Sequence, residues 1–110
     1  MKKTEILIVG RDENTLEALL LSLSKNEQWN AMGANEDERA IELFHQHRFD
    51  LVLLENGLNE TEQNKLRALF LLQQPDVKII QHFDGDVEEI RSALADAKEA
   101  YFKVIDNPFS

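Results

Sequence analysis

The chain has no cysteine, two prolines, four glycines and one tryptophan in 110 residues, and its twelve lysines and arginines are outnumbered by twenty-one aspartates and glutamates. Without cysteine there are no disulfides, no thiolate metal sites and no cysteine nucleophile, and an ordinary reducing compartment is the natural home. Glycine is too sparse for a phosphate-cradling loop: Val9-Gly10-Arg11 offers one glycine where a dinucleotide site needs three. A formal net charge of −9 works against nucleic acid, whose phosphates are bound by lysines and arginines that release counterions. Long apolar runs are also missing. The run that follows Met1-Lys2-Lys3-Thr4-Glu5 is four residues, too short for a signal peptide or a membrane span. These absences predict a cytoplasmic chain with protein partners, no nucleic acid and no membrane.

What is present is a regular alternation. Residues 1–110 are expected to form one domain around one core, burying roughly two-thirds of the surface that the unfolded chain exposes. Glu5-Ile6-Leu7-Ile8-Val9 reads as a buried strand. From Glu13 to Lys25 the residues Leu16, Leu19, Leu20 and Leu23 recur at i, i+3, i+4 and i+7, which predicts a helix with one core-facing stripe. Asp12 and Glu13 suit the positive end of that helix. Trp29 to Ala34 reads as a weaker strand at an edge. A second helix is expected from Glu36 to His47, with Ala40, Ile41 and Phe44 inward. Asn59 or Thr61 caps a third, which runs to Gln74 and is closed by Pro75. Val77 to His82 is a fourth strand, Asp86 to Ala97 a fourth helix with Val87, Ile90, Ala93, Leu94 and Ala97 inward, and Tyr101 to Ile105 a fifth strand.

Between the second and third helices lies Phe49-Asp50-Leu51-Val52-Leu53-Leu54-Glu55-Asn56-Gly57-Leu58. Its unbroken apolar centre, closed by a carboxylate and Asn-Gly, predicts a strand buried on both faces. Glu55 then stands at the carboxyl end of a central strand, where open α/β sheets bind their ligands. Right-handed crossovers reduce the alternation to a doubly wound α/β fold, a five-stranded parallel sheet with helices on both faces.

The phrases Ile6-Leu7-Ile8-Val9, Ala34 with Ala40-Ile41, Phe49 to Leu58, Pro75-Asp76-Val77-Lys78-Ile79-Ile80, and Ala93-Leu94 through Tyr101-Phe102 together resemble a response-regulator receiver domain of the flavodoxin-like, CheY-like fold. The resemblance implies strand order 2-1-3-4-5. It also implies an acid pair for Mg²⁺ after the first strand, a phosphorylated aspartate ending the third, a Ser or Thr ending the fourth and a Lys ending the fifth. Here the acid pair falls on Gly10 and Arg11, the aspartate on Glu55 and the Ser/Thr on Phe83. The lysine falls on Val104, or on Asn107 if Asn107-Pro108-Phe109 sets the register. Tyr101 falls on the aromatic that reports phosphorylation in such domains, or is simply an edge-strand tyrosine.

These departures predict a degenerate receiver, or pseudo-receiver: a phosphorylation-independent interaction and regulatory domain in two-component signal transduction, not an enzyme, with no cofactor and no metal. A guanidinium–carboxylate contact between Arg11 and Glu55 is expected to replace metal and phosphate. The alternatives are a working receiver phosphorylated on Glu55 with Mg²⁺, using Asp12 and Glu13, and a small flavodoxin-like domain for a nucleotide or flavin. His45, His47 and His82 are too scattered for a metal site, and Leu71 or Leu72 is expected to be exposed. The fifth helix of the fold is missing. That would uncover the flank beside the first helix, to be filled by a longer chain cut at Ser110, by a homodimer, or by a partner or attached output domain.

Overall fold

The computed structural model describes residues 3–95. Strands β1 (Thr4–Val9), β2 (Trp29–Ala34), β3 (Leu51–Glu55) and β4 (Lys78–Phe83) alternate with helices α1 (Glu13–Ser24), α2 (Asp37–Gln46) and α3 (Glu60–Gln73). A further helix, α4, covers 87–95. All strand pairs are parallel, in the order β2-β1-β3-β4. This is a receiver-type topology as far as the described residues extend. The expected fifth strand at 101–105, with Tyr101 and Val104, lies outside them, as does Asn107.

The sheet is organised by β3, whose five residues are all buried. Its alternation divides the interior in two. Val52 and Leu54 join Leu7, Val9, Ala40, Phe44, Leu66 and Phe70 under α2 and α3. Leu51 and Leu53 join Ile6, Ile8, Leu16, Leu23, Trp29 and Ile90 on the face of α1. Phe44 anchors the first layer, with its ring centroid 4.4 Å from that of Phe70 and 6.1 Å from that of Phe49. Leu72 is 81% exposed, whereas Leu71 packs half-buried against the α2–α3 layer.

The expected bare flank beside α1 is corrected by α4. Ile90 is fully buried in the α1 layer, Val87 and Leu94 pack against it, and the Arg91 guanidinium lies 5.9 Å over the Trp29 ring. Of the inward stripe expected for this helix, Val87, Ile90 and Leu94 pack into the α1 layer, and Ala97 lies outside the described residues.

One irregularity lies in β4. Leu53 pairs with Ile80, but Glu55 pairs with Phe83, so β4 carries one extra residue and bulges. His82 takes the left-handed conformation there, φ 55°, which a non-glycine residue adopts only when its surroundings hold it. The holder is Gln63 on α3, fully buried. Its Oε1 accepts the His82 backbone N–H at 2.7 Å, and its Nε2 donates to the Leu58 carbonyl at 2.9 Å. Those two backbone partners fix the amide's orientation, so Nε2, 3.3 Å from His82 Nδ1, faces that nitrogen as a donor. The bulge turns Phe83 onto the same face as Ile80 and lets it fill the α1 layer.

Replacing Gln63 with Leu strips partners from the His82 N–H and the Leu58 carbonyl. A loss of about 2–4 kcal/mol in urea unfolding is expected, against under about 0.5 for the exposed Asn64→Ala.

Candidate functional site

Parallel strands bring every β-to-α loop to one end of the sheet. Gly10, Arg11, Glu55 and the first turns of α2 and α3 therefore meet there. The helices start at that end for local reasons. Asp12 caps α1, its carboxylate accepting the Thr15 N–H at 2.9 Å and the Thr15 hydroxyl at 2.7 Å. Asn59, the first of the two expected caps, starts α3 in a capping box. Its side chain accepts the Glu62 N–H at 2.8 Å while Glu62 Oε1 accepts the Asn59 N–H at 3.0 Å. Asp37 and Glu38 occupy the first turn of α2, facing the positive end of its dipole.

Arg11 is bound within this ring of helix starts. Its Nη2 donates to Asp37 Oδ1 at 2.6 Å and to Glu62 Oε2 at 2.7 Å, and its Nη1 reaches the Asn35 carbonyl at 3.3 Å. Burial works against its charge, but the hydrogen bonds it donates to Glu62 and Asp37, and the charges of those carboxylates, outweigh it and hold the guanidinium above its usual pKa. Glu62 lies below the usual carboxylate range, through the Arg11 hydrogen bond first and the Asn59 N–H second. Asp12 is lowered by its two bonds from Thr15. All three members of the Arg11 cluster are about a third exposed, so solvent screens the attraction and its main effect is positional.

Glu55 is 8% exposed and takes no part in that cluster. Its Oε2 accepts the Gly57 N–H at 3.0 Å. Its Oε1 occupies space that two glycines leave open: an added Cβ would stand 3.3 Å from it at Gly10 and 2.7 Å from it at Gly57. The expected Arg11–Glu55 contact is thus corrected. By strand alternation Glu55 is in phase with Leu51 and Leu53, which face α1, whereas Asp37 and Glu62 start helices on the opposite face. Arg11 follows the two acids, and Glu55 folds onto its own turn. Phe83 is fully buried and directly opposite Glu55 in the ladder.

Asp12, the acid nearest Gly10 and Arg11 in the chain, is committed to Thr15. Among the described residues no three histidine or carboxylate side chains cluster as metal ligands, and no helix is long and apolar enough to cross a membrane. Sequence reasoning missed Glu62 and Asp37 as partners of Arg11. The signal was available, since both are first-turn acids of helices that must begin at the end of the sheet where Arg11 lies.

No protein-family model matches the chain, and no curated protein does. Among solved structures it is similar to the signal receiver domain of an HD domain-containing protein from Pseudomonas fluorescens Pf-5. The identity is 20% and the TM-score 0.56, over 90% of this chain and 97% of that one. The likeness is one of fold.

Two outcomes follow from this geometry. Glu62 binds fewer protons folded than unfolded, so its contribution is full above the ordinary glutamate range and is lost as pH falls through the lowered folded pKa. Thermal melts between about pH 7 and about pH 3 should therefore show a shallower acid limb in Glu62→Gln than in the parent. Gly57→Ala brings its methyl to 2.7 Å from Glu55 Oε1, the free end of a flexible side chain that can turn aside, so it should cost under about 1 kcal/mol in urea unfolding, and Gly57→Ala with Glu55→Ala should cost less than the sum of the two.

Proposed function

We propose that this chain is a degenerate receiver domain: a cytoplasmic, phosphorylation-independent module that regulates an attached output domain or a separate protein in two-component-type signalling and catalyses no reaction itself. On this reading Gly10 and Arg11 replace the acid pair, Glu55 replaces the phosphoacceptor, and Phe83 replaces the Ser/Thr. Val104 or Asn107 stands for the lysine and Tyr101 for the switch aromatic.

The observation that carries it is Arg11 bound to Asp37 and Glu62. A hard cation such as Mg²⁺ needs close carboxylate oxygens in near-octahedral array. At this position the chain supplies a guanidinium that already holds two carboxylates. Phosphoryl transfer to a carboxylate relies on positive groups aimed at the moving phosphoryl, and Arg11 is aimed at acids of the opposite face. Glu55 is turned onto its own loop, where its Oε2 accepts the Gly57 N–H at 3.0 Å. What remains is a receiver surface held in one state. The similar structure is the receiver of an HD domain-containing protein, which agrees with a module that acts through something joined to it or docked on it.

Beryllofluoride with Mg²⁺, followed by amide NMR, should leave the shifts of Gly10, Arg11, Asn56 and Gly57 unchanged. A small phosphodonor should add no acid-labile mass to the intact chain. A saturable shift at those amides together with an adduct lost in Glu55→Gln would establish a working receiver phosphorylated on Glu55 instead.

A further inference from the structure

The two outer strands of the described sheet are treated differently. A strand at an edge offers unpaired N–H and C=O groups to any other chain, and proteins blunt such edges with charges, prolines and bulges. β4 has two of these devices, Lys78 and the bulge at His82. β2 has none. Trp29-Asn30-Ala31-Met32-Gly33-Ala34 contains no charge and no proline, and it is in unbroken register with β1 from Thr4↔Trp29 to Val9↔Ala34. Among the described residues its other side pairs with nothing.

The helix beside that edge is marked as well. Leu20 and Ser24 of α1 line an open groove of about 550 Å³ with Trp29, Asn30 and Ala31. Leu21, next to Leu20, is 69% exposed and one of two large apolar side chains so exposed among the described residues. At helical spacing Leu21 is flanked by Glu17 four residues before and Lys25 four residues after, both exposed. The line Glu17–Leu21–Lys25 is complementary to itself when reversed: laid antiparallel, leucine meets leucine at the centre and each acid meets a lysine.

We propose that a second copy of this chain docks on the β2 edge about a twofold axis near Leu21 and Ala31. The two β2 strands pair antiparallel and join the sheets into one, while the two α1 helices lie side by side on one face. Centred on Ala31, the ladder sets Trp29 against Gly33 and Asn30 against Met32, all uncharged. Just beyond it Glu27 meets Asn35, so no like charges oppose one another. A twofold contact of this kind is self-complementary and closes after two copies. The inference is independent of how Glu55 behaves.

Sedimentation equilibrium of the full chain should give twice its 12.7 kDa mass. Leu21→Glu, at an exposed position, should leave the circular dichroism spectrum intact and weaken self-association by about tenfold or more. Glu17→Lys should weaken it, and adding Lys25→Glu should restore it, which a merely hydrophobic contact would not do. Because the chain lacks cysteine, Leu21→Cys under a copper–phenanthroline oxidant should form a disulfide-linked dimer much faster than Leu72→Cys on α3. A monomer at every concentration overturns the proposal. So does a dimer indifferent to Leu21→Glu and cross-linked faster through Leu72→Cys.

Discussion

The guanidinium of Arg11 ties the loop after β1 to the first turns of α2 and α3, and the carboxyl end of the sheet takes its shape from that tie. The order of causes is instructive. Helix dipoles favour acids at the starts of α2 and α3, and parallel topology brings those starts together at one end of the sheet. Carboxylates gathered there create a site for a cation. Arg11 fills it from a neighbouring loop, and Glu62 serves both the arginine and its own helix cap. Because solvent screens these pairs, the cluster does more for position than for stability. It fixes where three loops lie relative to one another.

Glu55 obeys a different constraint. Its strand delivers it to the end of the sheet in phase with the α1 face, and two glycines leave the volume its longer side chain needs. Gly57 also supplies the N–H that its carboxylate accepts. The two charged features at this end therefore share a neighbourhood but not a contact, one serving the α2–α3 side and the other its own turn.

How much of this could be read beforehand depends on the kind of interaction. β2 has the bounds expected from Trp29 to Ala34 and sits at an edge of the described sheet; β3 is buried on both faces; the inward stripe of α1 is the one its spacing implied, as are Val87, Ile90 and Leu94 of α4. These are matters of period and burial, which a linear string records. Gln63 was not legible, because nothing marks a glutamine as buried until a β4 backbone N–H and a loop carbonyl converge on it. The partners of Arg11 were misjudged for a related reason: proximity in the fold was inferred correctly, but the face to which each side chain belongs was not. Strand parity assigns Glu55 to α1, and that parity was available in Leu51 and Leu53.

The placement of α4 shows why a stripe alone does not settle a fold. Successive moves in the same direction across a sheet, made by right-handed crossovers, keep their helices on one face. β2 to β3 and β3 to β4 obey this with α2 and α3, and a further such move from β4 would add its helix beside α3. The sequence of α4 is equally suited to either layer, since Val87, Ile90 and Leu94 require only an apolar surface. What differs is the competition for them. The α2–α3 layer already closes on itself through Phe44, Phe49 and Phe70, whereas in the α1 layer Trp29 and the bulge-directed Phe83 are buried in one cluster with Ile90 of α4. Arg91 extends over the indole. The bulge at His82, by turning Phe83 toward α1, thus helps to build the surface on which α4 lies. A buried glutamine on α3 thereby bears on the packing of a helix across the sheet.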